Sequence, residues 1–316
     1  MAERQAGIQT IGHLDPRFHG DDSWDNVVWV KYICVDKYRI VVILCKKSII
    51  KVYLFFFLYM LQTAITAAKQ AGDIIEKYFS LEPTMEFKDA GQRDIVTIAD
   101  KEAEKAIREV ILKEFPHHGF WGEETGQTQM DKEYVWVVDP LDGTSNFALH
   151  IPLYAISIAL TRNKEPILGV VYIPTTGELF SAEKNKGAYC NNKPIKVSQI
   201  NTLSTATCSV EYWSRDDLHR QEGLEDFVYF ANHTKKIRYL SSTVFELCRV
   251  AKGSLDFCIL DTKFIDIAAA KLIIEEAGGT CCSTKGGEIP FAENGQPTRI
   301  IASNQPLISL LLQYKK

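Results

Sequence analysis

Apolar residues recur at three- and four-residue steps from Met60 onward, which is the spacing of one buried helix face. The stripe comprises Leu61, Ala64, Ile65, Ala68, Ala71, Ile75, Tyr78 and Phe79. A second helix is predicted from about Thr97, where the sequence TIAD has the spacing of a capping box. Similar patterns predict helices at 242–253 and 267–279.

Short apolar runs of strand length follow the second helix, and turn signals such as RNKEP, PTTGE and NNKP separate them. The runs lie at 134–139, 153–160, 167–174 and 178–184, with a later one at 255–260. Closely spaced runs of this kind are typical of an antiparallel meander. Because blocks of helices alternate with blocks of strands, the pattern predicts a layered α/β (α+β) architecture rather than a single wound parallel sheet.

Residues 1–59 differ from the rest of the chain, because they are rich in aromatic residues and slightly basic. The run at 39–61 is strongly apolar, but three lysines divide it into pieces too short to cross about 30 Å of hydrocarbon, so a membrane anchor is not expected. The opening RQAGIQTIGHLDPRFHGDDSW resembles the translation of repeats found between bacterial genes. We therefore expect residues 1–59 to be an upstream extension from a wrongly assigned start codon, with the domain beginning at Met60.

The charge balance narrows the class of function. The 316 residues carry a formal net charge of -4, which argues against direct nucleic-acid binding through a basic face. Small anionic substrates stay open if a metal ion or local positive charge is supplied. Eight cysteines are scattered without a CxxC pair or a zinc-type partner, which favours reduced thiols in a cytoplasmic protein.

The stretch WVVDPLDGTSNF carries the main chemical signal. An apolar strand delivers Asp139, Pro140 turns the chain, and Asp142 with Gly143 forms a tight turn before a predicted helix at Thr144. Two carboxylates this close repel one another unless a cation lies between them, and oxygen-only ligation suits Mg²⁺ or Mn²⁺. Backbone N–H groups at the helix start would face an anion. The alternative is that both aspartates serve only as turn and capping residues.

Three other acidic stretches each have a structural interpretation when taken singly. Glu123 and Glu124 in GFWGEET fit a solvated loop, Asp100 in DIVTIAD fits a capping box, and Asp266 in FIDIAAAKLIIEEAGG fits a helix cap. Together and in this order with DPLDGTSNF, these stretches resemble the inositol monophosphatase family of metal-dependent, lithium-sensitive phosphatases. The resemblance runs from about residue 60 to the C-terminus. It implies a sugar-phosphatase-like αβαβα sandwich with a largely antiparallel first sheet, a metal-binding lobe at 60–197 and a second lobe at 198–316.

The resemblance also implies a set of metal ligands. Glu123, Asp139 and the backbone carbonyl of Leu141 would hold a first Mg²⁺. Asp139, Asp142 and Asp266 would hold a second Mg²⁺, so that Asp139 bridges the two ions. Glu123 would reach a third, weaker ion. Paired metals suit phosphate monoester hydrolysis, because charge develops on both the attacking and the leaving oxygens.

The family pattern assigns the chemistry and the phosphate contacts to neighbouring residues. Thr144 and Asp100 would form the hydrogen-bonded pair that orients and deprotonates a metal-activated water, while the amides of Gly143 and Thr144 would grip the phosphate. Lys88 lies close to where the family has a lysine in a loop near the metals, although the loop here is one residue longer.

The substrate side departs from the family. Ile265 stands where relatives have tryptophan, and Ile259 or Leu260 stands where inositol-phosphate enzymes carry a glutamate that contacts a hydroxyl. Asp261 is the nearest acid that could substitute. Polyol contacts are expected from the stretch Ser241, Ser242 and Thr243. Because a site built to hydrogen-bond a hydroxyl discriminates strongly, the missing glutamate puts inositol specificity in doubt.

Three alternatives follow for the function. Inositol 1-phosphate is the nominal substrate, with fructose 1,6-bisphosphatase or 3'(2'),5'-bisphosphate nucleotidase activity as alternatives. A basic pocket for a second phosphate would separate them, and Arg215, Arg238 and Lys263 are its candidates. Some bacterial relatives act as non-catalytic partners of the transcription machinery, which is the second class of function. A phosphatase tethered to a membrane through residues 39–61 is the third. The family also implies a homodimer.

Overall fold

The computed structural model describes residues 29–35, 38–44, 50–81, 85–87, 95–212, 217–289, 291 and 297–314. At 29–35, 38–44, 50–57, 85–87, 95–96 and 218 only the backbone is described. Lys88 and Arg215 lie outside the described residues. The chain divides into two compact units, Met1–Gln62 and Thr63–Lys316.

The first unit holds an antiparallel hairpin and the start of a long helix. Strands β1 (Trp29–Val35) and β2 (Tyr38–Leu44) pair with Trp29 opposite Leu44, and helix α1 spans Ile50–Phe79. The helix predicted from Met60 thus begins ten residues earlier, because neither glycine nor proline occurs between Ile50 and Gly72. Within the described ranges, no helix has the length and apolarity needed to cross a bilayer.

The first large sheet carries most of the strands. A short antiparallel pair, β3 (Met85–Phe87) and β4 (Ile95–Thr97), precedes helix α2 (Ile98–Glu114). The eight strands that follow are β5 (Gly119–Gly122), β6 (Gly126–Thr128), β7 (Tyr134–Asp142), β8 (Ala155–Arg162), β9 (Glu165–Ile173), β10 (Glu178–Glu183), β11 (Ala188–Cys190) and β12 (Lys193–Pro194). They lie in the order β12-β11-β10-β9-β8-β7-β5-β6, and every neighbouring pair is antiparallel except β5 and β7.

A smaller sheet forms the second layer of strands. Its five strands are β13 (Thr207–Val210), β14 (Lys236–Arg238), β15 (Phe257–Thr262), β16 (Gly279–Ser283) and β17 (Thr298–Asn304), in the order β14-β13-β15-β17-β16. The remaining helices are α3 (Thr144–Ala148), α4 (Asp217–His233), α5 (Thr243–Ala251), α6 (Phe264–Glu276) and α7 (Gln305–Tyr314). Strand β13 runs parallel to both β14 and β15, whereas β17 is antiparallel to its two neighbours.

Helices α5 and α6 lie between the two sheets. Their apolar residues share one core with the inner faces of both sheets, and α6 is apolar nearly all round because it is covered on both sides. Strand β9 approaches α6 so closely that a Cβ on Gly169 would lie 2.7 Å from the Ala269 carbonyl oxygen. Residues of α4 and α7 pack on the outer face of the second sheet. The predicted layered α/β fold, with a mostly antiparallel first sheet, is confirmed.

Candidate active site

The end of β7 presents two buried aspartates on an irregular turn. Asp139 accepts a hydrogen bond from the backbone N–H of Leu141 at 3.0 Å, and the pairing of β7 with β8 shifts register between Asp139 and Asp142. The shift fits the sequence, because Pro140 has no N–H for the ladder. The strand nevertheless resumes pairing at Asp142 and ends there, three residues later than the prediction. Gly143 then adopts a left-handed φ of 88° and leads directly into α3.

Replacing Gly143 with alanine should cost about 2 kcal/mol or more of the free energy of unfolding, because an L-residue pays roughly 1–2 kcal/mol for left-handed backbone alone. The added Cβ would also lie 2.8 Å from the carbonyl oxygen of Leu153. Gly177→Ala is the matched control, since Gly177 has a φ of 64° and nothing within 4 Å of the added atom. Urea unfolding of both variants measures the difference. Equal losses would show that the close contact at Gly143 does not matter.

Asp100 and Thr144 are brought together from positions 44 residues apart. Asp100 is the third residue of α2 and completes the predicted capping box, because its Oδ2 accepts the Thr97 N–H at 2.8 Å and the Thr97 hydroxyl at 2.5 Å. Its other oxygen, Oδ1, lies 3.2 Å from the Thr144 hydroxyl, which also lies 3.0 Å from the Leu141 carbonyl oxygen. The hydroxyl has one proton for these two acceptors, so it can keep one bond while the other is exchanged.

Asp266 reaches the same region from the second half of the chain. It is the third residue of α6, where Lys263 occupies the N-cap position, so the interpretation of Asp266 as the cap itself is wrong. Its Oδ2 accepts the backbone N–H of Lys263 at 3.0 Å and the hydroxyl of Thr262 at 3.1 Å. The carboxyl is therefore held in one orientation. Ile265 is buried beside it, as expected for an apolar replacement of tryptophan.

Glu123, Asp139 and Asp266 form a compact carboxylate cluster. Each offers one oxygen, and the three oxygens all lie within 4.8 Å of one another. Asp139 is buried and the other two are partly exposed, so the cluster is open on one side. Three carboxylate oxygens at this spacing form the hard, oxygen-only donor set that Mg²⁺ and Mn²⁺ prefer, and they fit a divalent cation.

Burial and mutual repulsion disfavour charge on these carboxyls. Burial raises the pKa of Asp139 well above its usual range, and the charges of Glu123, Asp142 and Asp266 raise it further. Burial likewise raises the pKa of Asp142 to about 7, despite the hydrogen bond from Ser242. The pKa of Asp266 rises to about 6 through burial and the charge of Glu123. Raised pKa values of this kind are typical of a functional site, and a bound cation would lower them by neutralising the repulsion between the carboxylates.

Asp142 is hydrogen-bonded to the loop at 241–243, which is expected to contact the substrate and is called the substrate loop below. Its Oδ2 accepts the hydroxyl of Ser242 and, at 2.9 Å, the backbone N–H of Val244 at the start of α5. Ser242 is buried and its hydroxyl is engaged by Asp142, whereas Ser241 and Thr243 are partly exposed. Ser241 adopts a φ of 56°, a conformation that non-glycine residues seldom take. Ser242, one of the three expected polyol contacts, thus also positions Asp142.

Two buried residues that hydrogen-bond to the substrate loop or to Leu240 beside it were not predicted from the sequence. Asn146 donates to the carbonyl oxygens of Leu153 at 2.9 Å, Leu240 at 2.7 Å and Ser241 at 3.2 Å. Glu246 accepts the Leu240 N–H at 2.9 Å, and burial raises its pKa to about 7. Glu246 could have been noticed, because an acid inside the apolar stretch VFELC of a predicted helix calls for a buried partner.

The other predicted substrate residues have separate surroundings. Asp261 pairs with His219, whose Nδ1 lies 3.1 Å from Asp261 Oδ1, while its backbone N–H donates to Glu211 at 3.0 Å. Ile259 and Leu260 are buried and apolar, so neither offers the hydroxyl contact of the family glutamate. Arg238 is exposed and Lys263 partly exposed. The Arg238 guanidinium donates to the carbonyl of Ile237 at 3.0 Å.

Comparison with known proteins identifies the family of this chain. The sequence profile of the inositol monophosphatase family matches residues 58–314. The chain belongs to this family. A family relative, the fructose-1,6-bisphosphatase/inositol-1-monophosphatase of Aquifex aeolicus (strain VF5), is 35% identical over 257 residues, covering 81% of this chain and 95% of its own. The Nus factor SuhB of Vibrio cholerae serotype O1 is 33% identical over 257 residues, with the same two coverages of 81% and 95%.

A solved structure shares the fold of this chain. The extragenic suppressor protein suhB from Bartonella henselae superposes with a TM-score of 0.75 at 30% identity, covering 81% of this chain and 97% of that one. The chain is therefore a phosphoric monoester hydrolase of the inositol monophosphatase family, as the sequence predicted. Metal dependence is a property of the family, and the carboxylate cluster offers a place for a metal ion.

Proposed function

We propose that this protein is a Mg²⁺-dependent phosphatase of small phosphomonoesters, with inositol 1-phosphate as its nominal substrate. The observation that carries the proposal is the cluster of Glu123, Asp139 and Asp266, whose oxygens lie within 4.8 Å of one another. Leu141 links this cluster to Thr144, because its N–H donates to Asp139 and its carbonyl oxygen lies 3.0 Å from the Thr144 hydroxyl, which also contacts Asp100. Metal ligands and a hydrogen-bonded pair for handling a proton therefore meet at one place.

Two to three Mg²⁺ ions, or Mn²⁺ in their place, would be held by Glu123, Asp139, the Leu141 carbonyl, Asp142 and Asp266. Bound Mg²⁺ supplies an acidified water and neutralises charge that develops on the phosphate. The raised pKa values of Asp139, Asp142 and Asp266 support this assignment, since a cation makes their ionised forms favourable. Lithium sensitivity is the further expectation from the family.

The residues of the chain orient the reaction. Asp100 is fixed by its capping box, and its Oδ1 lies 3.2 Å from the Thr144 hydroxyl, so that hydroxyl can accept a proton from the attacking water as it donates its own to Asp100. The N–H groups of Gly143 and Thr144 lie at the start of α3, where they would bind phosphate oxygens. In this role the left-handed Gly143 keeps the turn tight and lets Leu153 and Ser242 pack against it.

The polar side chains of the substrate loop bear on the class of substrate. Ser241 and Thr243 are partly exposed polar groups of the loop at 241–243 and would contact substrate hydroxyls, with Asp261 as a further candidate acid next to His219. Fructose 1,6-bisphosphate and 3'-phosphoadenosine 5'-phosphate stay as alternative substrates, and the double name of the Aquifex relative favours testing the first. Lys263, beside Asp266, is the described basic residue nearest to the cluster in sequence.

We further propose that residues 60–316 form the catalytic domain, divided at about residue 197 into a metal-binding lobe and a second lobe, with residues 1–59 outside it. The family match over 58–314 supports this division. So does the separation of the strands, since β5–β12 form the first sheet and β13–β17 the second. A cytoplasmic homodimer completes the proposal. Partner binding in transcription is the alternative from another class, supported by the name of the Vibrio relative.

The test is phosphate release by the full chain, with Mg²⁺ or with EDTA, from inositol 1-phosphate, fructose 1,6-bisphosphate and 3'-phosphoadenosine 5'-phosphate. We expect Mg²⁺-dependent turnover, fastest on inositol 1-phosphate. Thr144→Val should lower kcat about 100-fold, the usual size of an acid–base contribution, with little change in KM. Thr161→Val is the control, because its buried hydroxyl bonds to the Val135 carbonyl at 3.0 Å, on β7 but remote from the turn.

The outcomes separate the alternatives. A preference for either bisphosphate would replace inositol 1-phosphate as the substrate and leave the mechanism in place. A folded, Mg²⁺-binding protein that releases no phosphate from any of the three would count against hydrolysis and favour the partner-binding role.

A further inference from the structure

Glu104 is a fully buried acid on α2 that no part of the sequence pattern singled out. Its Oε2 accepts the backbone N–H of Glu124 at 2.7 Å, and its Oε1 accepts the backbone N–H of Thr125 at 2.8 Å. Both oxygens are therefore used to hold the turn between β5 and β6. A buried carboxyl is costly unless its hydrogen bonds are made, so Glu104 and this turn depend on each other.

The turn that Glu104 holds is the one that carries Glu123. Glu123 directly precedes the two residues whose N–H groups are bound, and its own N–H donates to the Val138 carbonyl of β7 at 3.1 Å. One side of the Glu123 backbone is thus fixed by the strand that bears Asp139, and the other side by Glu104.

The space around the carboxyl is matched to it. A Cβ on Gly122 would lie 2.4 Å from the carboxyl carbon of Glu104, so only glycine fits there while Glu104 keeps its position. One helical turn further on, Arg108 reaches the same hairpin, with its guanidinium 3.4 Å from the Thr125 hydroxyl and 3.3 Å from the Thr128 hydroxyl. Two successive turns of helix α2 therefore hydrogen-bond to the β5–β6 hairpin, through Glu104 and Arg108.

We propose that Glu104 is a positioning residue for the metal site: its carboxylate, bound by the N–H groups of Glu124 and Thr125, sets where Glu123 presents its oxygen to a divalent cation. The inference rests on the proposed function, because it takes Glu123 as a metal ligand. Glu104 itself does not touch the cation. It acts as metal-site partners generally do, by fixing a ligand through hydrogen bonds, and loss of such a partner costs about 10- to 100-fold in metal affinity.

The chain contains a matched control. Glu276, at the end of α6, also accepts two backbone N–H groups of one turn, from Asn185 at 2.6 Å and from Gly187 at 2.8 Å. That turn joins β10 to β11 and carries none of the predicted metal ligands. Glu104→Gln and Glu276→Gln therefore remove the same kind of bidentate contact, since an amide has one acceptor oxygen.

The experiment measures Mn²⁺ binding to each full-length protein by the loss of the free-ion electron paramagnetic resonance signal, together with the Mg²⁺ dependence of 4-nitrophenyl phosphate hydrolysis. For Glu104→Gln we expect the Kd for Mn²⁺ and the half-saturating Mg²⁺ concentration to rise about 10- to 100-fold, with kcat at saturating Mg²⁺ largely recovered. Glu276→Gln should leave the Kd within about twofold of the wild type, whatever its effect on urea stability.

Unchanged Mn²⁺ affinity in a folded Glu104→Gln protein would overturn the inference alone, as would an equal loss of affinity in Glu276→Gln. A wild-type chain that binds no Mn²⁺ would instead overturn the proposed function and this inference with it. If Glu104→Gln does not fold, Gly122→Ala tests the same coupling, because its Cβ displaces the carboxyl without removing it. It should weaken Mn²⁺ binding in the same way, and wild-type affinity in that variant would overturn the inference.

Discussion

Asp139→Asn should reduce phosphate release at least about 100-fold while making the metal-free protein more stable. The two effects have opposite signs because they come from the same charge. Asp139 is the buried member of the carboxylate cluster, and its ionised form faces Glu123, Asp142 and Asp266. An asparagine removes that repulsion, but it also removes the carboxylate that would bridge two cations. The midpoint of thermal unfolding in EDTA should rise, and the further rise on adding Mg²⁺ should shrink.

Asp226→Asn is the matched control for this substitution. Asp226 is equally buried, but it pairs with Arg299, whose guanidinium lies 3.0 Å from its Oδ2. Breaking a buried ion pair costs about 3–5 kcal/mol, so this variant should be destabilised with or without Mg²⁺. Thermal scans and phosphate release on both variants make the comparison. If Asp139→Asn also destabilised the EDTA-treated protein, the repulsion inferred for the cluster would be absent.

The metal-free protein should lose stability as the pH rises from about 4 to about 7. Burial raises the pKa of Asp142 from an ordinary 3.8 to about 7 and that of Asp266 to about 6. Below pH 4 these carboxyls are protonated in both the folded and the unfolded chain, and their contribution to stability is fully present. Between pH 4 and the raised pKa of each carboxyl, the unfolded chain releases a proton that the folded chain keeps, so rising pH favours unfolding. Each such carboxyl contributes about 1.4 kcal/mol per pH unit across its window.

Mg²⁺ should remove this dependence. A bound cation favours the ionised carboxylates, so the stabilisation by Mg²⁺ should be large at pH 7.5 and small at pH 5, where protons compete for the same oxygens. Urea unfolding from pH 4 to 8, with EDTA or with Mg²⁺, measures both curves. Parallel curves in the two conditions would mean that the cation does not bind at these carboxyls. The Asp139→Asn variant should show a flatter curve in EDTA than the wild type.

Much of the site was predictable from short segments. The capping box of Thr97 and Asp100 depends on residues three apart, and the turn at DPLDG depends on a proline and a left-handed glycine, so neighbouring residues suffice to specify both. The assignment of acidic residues as ligands came from their resemblance to a family. The structure adds that Glu123, Asp139 and Asp266 each place one oxygen within 4.8 Å of the others. Their roles as ligands stay predictions until the metal is measured.

Other features had no local signal. The helix start at Ile50 instead of Met60 lies in a run of apolar residues with no stop signal, where periodicity cannot mark an end. The contact of Ser242 with Asp142 joins positions 100 residues apart, and Asn146 reaches the Leu240 carbonyl across 94 residues. Such contacts depend on how α5 packs between the two sheets, which no single segment encodes.

By itself, the sequence determined those helices and strands whose apolar pattern is clear, because strand alternation, helix periodicity, caps and turns act over a few residues. It also determined the family, through acidic motifs that keep their order along the chain. The tertiary structure alone decided which of these residues meet. Asp139 lies on β7 and Glu123 lies directly after the adjacent parallel strand β5, whereas Asp266 arrives on α6 from the second half of the chain, held by the packing of that helix against both sheets. Placement of a distant carboxyl to within a few ångströms is a property of the packed core and not of any local pattern.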